Sequence, residues 1–516
     1  MHRFAAFLLF YALLILFHGY TFGSNDHIEL MPYVKWLHDR SLYQSDFFIQ
    51  HIANRIPNER IITAYLLSIG SNFLDWWAFS LHAVATLGLL YGLFFIAKLF
   101  IDEEWKIWIF LLVLFFPLYH FNLGGNDVYY NSLSASSLSK SLGVWSIYFV
   151  LKDRFYRATI FASLATFFHP LAGFQVFALS FGGRALVFLQ KIMWDKSIPN
   201  HSEIRTFYIA VSLYIFTAGI WLTALFSHFQ SASLPDDIFF EIINFRLPHH
   251  FIPGAFGIKN YVVFAVLSAI ALRYFHRENK VIFFLFCIAL SGMLIYGISV
   301  GVLHKTALIS TQWFKTGIWL KPLGLVSVVA TSLSFVPSKR LPSFFTHRFF
   351  VPVFLAILFC SVAALQLSHS FLHFTRKYEL PFDNLLNANN DEIQVALMAK
   401  RCTPKDALFL TPASCTAFKY YSERSSYIDF KAVTHSKADL KEWYDRIKKV
   451  YRINASKDEK GLALIDVADN NFTQMDAKTI VELSKSGITH VLTFSNIDLP
   501  FPVIAQSSTF TIYALQ

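Results

Sequence analysis

Long apolar runs, separated by short polar loops, fill most of the first 374 residues. A helix that crosses a bilayer needs about 20 mostly apolar residues, and the pattern predicts about eleven such helices. We place them near residues 4–21, 76–98, 107–122, 137–151, 156–169, 171–190, 206–228, 260–276, 281–302, 307–335 and 349–371. Residues 61–69 are too few to span a membrane and are predicted to form a helix that lies against the bundle.

The pattern changes near residue 375, where polar residues become frequent and helical and strand periods alternate. DEIQVALMAKRC predicts a helix, Thr403-Pro404 a turn, and residues 407–410 a short strand. SYIDFK, THVLTF and TFTIYAL predict further strands, and residues 439–451 and 476–485 further helices. We therefore predict a transmembrane domain at 1–374 and a small C-terminal α/β extramembrane domain at 375–516. The fold class is mainly α, a polytopic transmembrane helix bundle.

Three polar connections, near 22–60, 122–136 and 229–259, are long for simple loops. In the first, Ile28, Met31, Val34 and Leu37 recur with a helical period between polar residues. This spacing predicts an amphipathic helix at the membrane surface.

Composition agrees with a membrane protein: 55% of the 516 residues are hydrophobic, 15% are charged, and the mean hydropathy is +0.45. Soluble domains carry about 25% charged residues. The formal charge of +10 does not indicate nucleic-acid binding, because basic residues of polytopic proteins gather in cytoplasmic loops. Their asymmetry predicts a cytoplasmic N-terminus, an external or periplasmic C-terminal domain, and residence in the inner (plasma) membrane.

The four cysteines do not form a disulfide framework. Cys402 and Cys415 share the C-terminal region, and one bridge between them stays open at this point.

Three acidic candidates stand in segments that are predicted to lie on the outer side of the membrane. Asp26 follows the first predicted span and lies between Asn25 and His27, Asp127 follows the third, and Asp46 lies in the first long connection. A solvated loop acid or a helix cap would explain each of them. Their common position at one membrane face instead favours a shared polar cavity.

Cationic candidates lie in two later segments. FRLPHHFIPG carries Arg246, His249 and His250, which either form a rigid surface loop or donate hydrogen bonds to a phosphate. Two adjacent histidines do not have the spacing of a zinc site, so we predict no metal site. In HKTALISTQWFKTGIWLKP, Lys315 follows Gln312 near the tenth predicted span, where it either snorkels to the interface or meets an anion.

FHPLAGFQ places His169 and Pro170 between two predicted spans. The simplest interpretation is a tight re-entry that His169 caps. The alternative is that His169 lines the polar cavity.

The first long segment, SNDHIELMPYVKWLHDRSLYQSDFF, resembles the first-loop signature of an uncharacterised bacterial branch of the GT-C class of glycosyltransferases. PHHFIPG, FHPLAG, TQWFK and the series TPKDALFLTP, RSSYIDFKA and EWYDR resemble the same branch. The resemblance covers most of the chain and implies a helix bundle of GT-C type. It also implies a sugar donor linked to polyprenyl phosphate, a glycan, lipid or protein acceptor, and a role in cell-envelope polysaccharide biosynthesis.

By position in that class, Asp26 would be the catalytic base, and Asp46 and Asp127 carry over less securely. The base would deprotonate an acceptor hydroxyl, which attacks the anomeric carbon with inversion. Lys315, Arg246 and His249 or His250 would hold the donor phosphate, and Asn25, His27, His169 and Gln312 would line the cavity. We expect no cofactor, although a divalent metal stays open.

Two other functions would use similar residues. A lipid or polysaccharide transporter or flippase also needs charged groups in a polar cavity, but such proteins usually show internal repeats, and we find none that is convincing. A polymerase or ligase of preassembled glycans is the alternative within the enzyme class. A structural scaffold is disfavoured by the external acids.

Overall fold

The computed structural model describes residues 2–196, 200–229, 234–334, 350–367, 390–453 and 460–515. The predicted domain boundary at 374/375 lies outside these residues. Within them the chain is mainly helical and ends in a small sheet, which confirms the predicted fold class.

The helices follow the predicted apolar runs and add several short ones between them. In chain order they are α1 (His2–His18), α2 (His27–His38), α3 (Phe47–Ala53), α4 (Ile61–Ser68), α5 (Leu74–Ala97), α6 (Glu104–Phe115), α7 (Ala135–Leu151), α8 (Phe155–Phe168), α9 (Pro170–Met193), α10 (His201–Tyr214), α11 (Ile220–Phe229), α12 (Asp236–Arg246), α13 (Pro248–Phe251), α14 (Ile258–Glu278), α15 (Lys280–Tyr296), α16 (Gly317–Ser332), α17 (Phe350–Leu367), α18 (Asp391–Cys402), α19 (Phe418–Ser422), α20 (Lys437–Tyr451), α21 (Leu464–Thr473) and α22 (Ala477–Ser484). Residues Ile215–Gly219 join α10 to α11 as a π-helical turn, and Gly297–Val302 extend α15 in the same way.

Five helices of the described chain are long and apolar enough to cross a membrane: Ser71–Ala97, Pro170–Met193, His201–Ser227, Ile258–Glu278 and Lys280–Val302. Shorter apolar helices lie at Arg3–His18, Phe155–Phe168 and Val351–Cys360. The protein is therefore an integral membrane protein, as predicted. Every one of the eleven predicted spans overlaps a helix, and the last of them, 349–371, runs beyond the described residues at its end.

Two predicted spans are shorter than expected. In the span predicted at 307–335, helix α16 begins only at Gly317, and Ile309–Thr311 and Trp313–Thr316 form 3₁₀ turns. Gln312 joins these turns in the left-handed conformation, with φ of 42°, which ends a regular helix. In the span predicted at 107–122, α6 ends at Phe115. Apolarity alone could not show either break.

The contacts divide the chain into two compact units. The first, here called the helix unit, comprises the described residues of Met1–Gly19, Ser80–Thr223 and His249–Glu379. In it α7 packs on α8, α9 on α15, α14 on α16, and α1 on α17. A Cβ on Gly183 would lie 2.6 Å from the Val281 carbonyl oxygen, so a glycine is what allows α9 to approach α15 this closely.

The second, here called the mixed unit, comprises the described residues of Tyr20–Phe79, Ala224–Pro248 and Leu380–Gln516. Its strands are β1 (Leu408–Leu410), β2 (Ser425–Ser426), β3 (His490–Phe494), β4 (Val503–Gln506) and β5 (Phe510–Ala514). They form one sheet in the order β2-β1-β3-β5-β4, in which β1 is parallel to β2 and β3, and the other two pairs are antiparallel. The first long connection contributes α2, α3 and α4 to this unit, where α2 packs on α3, α4 and α19.

Most predicted C-terminal elements are present, with one correction. SYIDFK is not a strand along its length, because β2 stops at Ser426 and the following residues are irregular. The backbone leaves the sheet there while Tyr427, Ile428 and Phe430 stay buried. A run of buried apolar residues therefore looked like a strand in the sequence.

Candidate functional site

The predicted site residues divide between the two units. The mixed unit holds Asn25, Asp26, His27, Asp46 and Arg246, and the helix unit holds Asp127, His169, His249, His250, Gln312 and Lys315. Each group is described by itself.

Asp26 is an accessible carboxylate immediately before helix α2. Its side chain is 67% exposed, and Oδ1 lies 3.3 Å from the Lys431 ammonium. Lys431 also donates to the side-chain oxygen of Asn25 at 3.2 Å. Asn25 adopts φ of 54° and donates its backbone N–H to Thr416 Oγ1 at 3.1 Å. Thr416 and Lys431 thus anchor the loop at Asn25, beside a carboxylate that stays open to solvent.

A chain of charges continues from this loop. Glu29 accepts hydrogen bonds from the Arg60 guanidinium and from the Val433 N–H. Arg60 also pairs with Glu59, and Glu59 lies 2.8 Å from His435 Nδ1. Burial raises the pKa of Glu59, but Arg60 and His435 outweigh it and hold that pKa below its usual range.

Arg246 lies near these acids but is itself enclosed. It is 3% exposed, and its Nε–H donates to the Phe430 carbonyl at 3.1 Å. Burial lowers the pKa of its guanidinium to about 10, while the charges of Glu29 and Asp26 act in the opposite direction. Arg246 is therefore a buried cation in the interior of the mixed unit, within electrostatic reach of Glu29 and Asp26.

The other two predicted residues of the mixed unit are buried. His27 is 1% exposed, and its Nδ1 accepts the Gly23 N–H at 3.0 Å, which fixes the turn before α2. Asp46 is fully buried, caps α3 by accepting the Ile49 N–H at 2.9 Å, and accepts the Ser426 N–H at 2.9 Å. Lys419 lies 3.3 Å from Asp46 and donates to Asp429. These contacts place Asp46 in the packed interior.

In the helix unit, Asp127, Lys315 and Lys321 all lie within electrostatic reach of Lys140; we call Lys140, Lys315 and Lys321 the lysine cluster. Lys140 donates to the Asp127 carbonyl and lies 3.8 Å from the centroid of the Tyr130 ring. The Lys140 ammonium interacts electrostatically with Asp127 and with both other lysines. The Asp127 carboxylate accepts the Asn122 amide at 2.6 Å. Three ammonium groups against one carboxylate leave the cluster cationic.

The three lysines differ in how far their hydrogen bonds are satisfied. Lys321 donates to the carbonyls of Leu118, Tyr119 and Phe121 at 2.8, 3.2 and 2.7 Å. Those three bonds use every N–H of its ammonium. The Lys315 ammonium is partly buried and has no hydrogen-bond or ion-pair partner among the residues that the structure describes. Lys315 is the cation of this cluster that a ligand could engage.

The loop before Asp127 adjoins both other predicted cationic positions. His250 Nδ1 lies 3.1 Å from the Gly124 carbonyl, so the ring donates there. A Cβ on Gly124 would lie 3.0 Å from the Lys315 backbone nitrogen, and one on Gly125 would lie 2.9 Å from the His249 carbonyl oxygen. Both glycines have positive φ. Asp127, Lys315, His249 and His250 therefore meet at one glycine turn.

His169 and Gln312 take positions that shape the backbone. His169 caps α9 by accepting the Ala172 N–H at 3.2 Å, as the simpler interpretation predicted. Gln175 donates to the carbonyls of Thr311 and Gln312 at 3.1 and 3.3 Å. Within the described chain, the buried side-chain oxygens of Gln175 and Gln312 accept no hydrogen bond.

Sequence reasoning missed Lys140 and Lys431. Lys140 carried a usable signal, because a lysine inside a predicted span is costly unless it has an anionic or polar partner. Nothing in the sequence pointed to Lys431, because it lies 405 positions from Asp26 and only the fold brings the two residues together.

Two further predictions concern metals and cysteines. In the described ranges, no three His, Cys, Asp or Glu side chains come close enough to hold a metal ion. The expectation that no cofactor is needed stays a prediction. Cys402 and Cys415 are both free thiols in the structure.

Comparisons with known proteins cover the chain unevenly. A domain of unknown function (DUF6798) matches residues 390–450, within the mixed unit. No curated protein matches the chain.

Two solved structures resemble the chain along its length. The first is ArnT from Cupriavidus metallidurans in the apo state. The aligned region covers 98% of this chain and 97% of the ArnT chain, with 10% sequence identity and a TM-score of 0.44. The Archaeoglobus fulgidus oligosaccharyltransferase, tethered with an acceptor peptide containing the NVT sequon through a disulfide bond, matches 96% of this chain and 69% of its own. Its identity is 11% and its TM-score 0.45.

Proposed function

We propose that this protein is a membrane glycosyltransferase of GT-C type that transfers a sugar from a polyprenyl-phosphate-linked donor to an acceptor hydroxyl. The observation that carries the proposal is the lysine cluster, with its unpartnered Lys315, inside a unit made of apolar helices.

The donor class follows from charge. Enclosing an ammonium without a partner is costly, so Lys315 is expected to meet an anion when the protein works. A phosphate offers several strong acceptors to lysine ammonium groups. Because the cluster lies among apolar helices, an anion carried on a hydrocarbon chain fits it better than a freely soluble one.

Asp26 is the best candidate for the catalytic base. A general base must reach the acceptor proton, and Asp26 is the exposed one of the three predicted carboxylates, whereas Asp46 is fully buried. The Lys431 ammonium lies 3.3 Å from this carboxylate. Asp127 sits among the lysines, where its charge offsets part of theirs.

The reaction proceeds as a single displacement. The acceptor oxygen gives its proton to Asp26 and bonds to the anomeric carbon, while the bond from that carbon to the phosphate oxygen breaks. The electron pair leaves with the phosphate, whose developing negative charge needs a cationic partner. In-line attack inverts the anomeric centre. The acceptor is a glycan, a lipid or a protein, and the reaction takes place at the external face of the inner (plasma) membrane, with the N-terminus in the cytoplasm.

The test compares Asp26→Asn with Asp237→Asn, a matched change of an exposed acid on α12 of the same unit. Full-length protein in nanodiscs is given radiolabelled polyprenyl-phosphate sugars and a membrane extract as acceptor. We expect Asp26→Asn to lose about 10²–10⁴-fold in rate, and Asp237→Asn to keep the wild-type rate.

Transfer at the wild-type rate by Asp26→Asn would refute the assignment of the base. If wild-type protein transfers no sugar but moves polyprenyl phosphate across a liposome bilayer, the flippase alternative replaces the enzyme.

A further inference from the structure

A polar groove of about 500 Å³ lies in the mixed unit, along helices α3 and α20. Its volume is within the range of about 300–1,000 Å³ that is usual for small-molecule sites. Five polar side chains line it: Gln50, His51, Asn54, Arg55 and Asp439. None of them has a role in the transfer reaction proposed above.

The groove offers hydrogen-bonding groups that the fold leaves available. Asn54 is exposed, and its amide has no partner among the described residues. Gln50 donates to the Tyr43 carbonyl at 2.8 Å, which holds its amide in place. His51 Nδ1 donates to the Phe47 carbonyl at 2.6 Å, so Nε2 is the ring nitrogen that faces away from that bond. An amide and an imidazole thus present both donors and acceptors.

The floor of the groove is fixed by an ion pair. Arg55 donates to Asp439 at 2.7 Å and also to Ser436 Oγ. The Asp439 side chain is only 7% exposed. Groups held in place before binding lose little conformational freedom when a ligand arrives.

Arg55 brings one positive charge to the groove, and Asp439 and Glu442 bring two negative charges. His51 Nε2 lies 3.7 Å from Asp439 and 3.6 Å from Glu442, and the Arg55 guanidinium is already bound to Asp439. A phosphate would therefore find no unpaired cation, while an apolar ligand would strand the polar lining without partners. Planar amide, carboxylate and guanidinium groups instead match pairs of neighbouring hydroxyls, each of which both donates and accepts.

We propose that this groove binds a neutral saccharide through Gln50, His51, Asn54, Arg55 and Asp439. Binding needs neither donor nor catalytic base, so this site and the transferase activity can be judged separately.

The test is direct binding of fluorescently labelled full-length protein to an array of neutral, uronic-acid-containing and phosphorylated oligosaccharides. The protein is kept in a detergent without a sugar headgroup, because a glycoside detergent would compete. Asn54→Trp fills the groove from an exposed position, and Asn470→Trp makes the same change at an exposed position of α21 outside the groove.

We expect neutral oligosaccharides to bind wild-type protein and Asn470→Trp equally, and Asn54→Trp to bind at least tenfold more weakly. Asn54→Ala should weaken binding as well, through loss of the amide alone. Three results would overturn the proposal: no binding of neutral oligosaccharides, binding restricted to phosphorylated ones, or equal binding by Asn54→Trp. Binding that persists in Asp26→Asn, with transfer lost, would leave the proposal intact.

Discussion

The lysine cluster of the helix unit and the buried Lys419 of the mixed unit have opposite charge balances. The first contains three ammonium groups and one carboxylate, and the Lys315 ammonium has no hydrogen-bond or ion-pair partner among the described residues. In the second, one ammonium is shared by Asp46 and Asp429, and backbone N–H groups satisfy further oxygens of Asp46.

This difference in charge balance distinguishes a buried charge network that stabilises the fold from one that binds a ligand. A network whose members satisfy one another fixes the positions of the segments that contribute them, here α3, α19 and the chain after β2. A cluster with unsatisfied charge is incomplete without a ligand. Counting partners therefore distinguishes the two cases, although both contain buried lysine and aspartate.

The largest expected effect is on the Lys419 network. Lys419→Met leaves two buried carboxylates without a counter-charge, and we expect the free energy of unfolding to fall by about 3–5 kcal/mol. Urea unfolding of the detergent-solubilised full chain measures it. Lys478→Met, at an exposed position of α22, serves as the control and should change stability little. Equal losses in the two variants would show that Lys419 is not needed to balance these acids.

The next effect is on ligand binding in the helix unit. Lys315→Met removes an unpartnered cation, so we expect the affinity for a short-chain polyprenyl phosphate to fall about 10- to 100-fold, as for loss of a charged hydrogen bond. Thermal stability should not fall. Lys305→Met, an exposed lysine of the same segment, should bind normally. An Lys315→Met protein with lower stability and unchanged affinity would place Lys315 with Lys419 as a structural residue.

A third effect concerns Glu392 of the mixed unit, whose carboxylate is held by backbone N–H groups and not by a lysine as Asp46 is. Glu392 accepts the Ala417 and Phe418 N–H groups at 2.7 and 2.8 Å. Burial outweighs these bonds and raises the pKa of Glu392 to about 7. A raised acid pKa stabilises the fold below the pKa of the unfolded chain, and this contribution disappears as pH rises through 7.

We therefore expect the free energy of unfolding to decrease by about 3 kcal/mol between pH 4.5 and 7.5 through this group. Urea unfolding at a series of pH values measures the slope. Glu392→Gln keeps an oxygen for both N–H groups but cannot ionise, so it should flatten the profile. An unchanged slope would assign the pH dependence to other groups.

The smallest effect compares Asp26 with Asp46, two aspartates of the first long connection. Asp26→Asn should change the free energy of unfolding by less than about 0.5 kcal/mol, because the side chain is 67% exposed. Asp46→Asn should cost about 1–3 kcal/mol, since an amide nitrogen replaces a buried acceptor. Thermal melts of both variants measure these stability changes. Similar losses of stability in the two variants would mean that side-chain exposure does not separate the roles of Asp26 and Asp46.

The helices were predictable from local pattern, and the site only in part. Apolar runs and the period of Ile28, Met31 and Val34 are properties of neighbouring residues, so α2 and the membrane helices follow from them. The left-handed turn at Gln312 depends on one backbone angle, which apolarity does not report. Asp26 could be singled out because it follows an apolar run. The burial of Asp46 could not be, because Lys419 and Asp429 lie about 375 residues further along the chain.

The mixed unit is assembled from both ends of the polypeptide, since residues 20–79 group with residues 380–516. During synthesis the ribosome makes Asn25 391 residues before Thr416 and 406 residues before Lys431. All the intervening helices are therefore translated before the two residues that anchor the Asp26 loop have been synthesised. A nonsense or frameshift mutation late in the reading frame would leave the helices in the membrane and the Asp26 loop without its anchors, a lesion that an assay of membrane insertion alone would not detect.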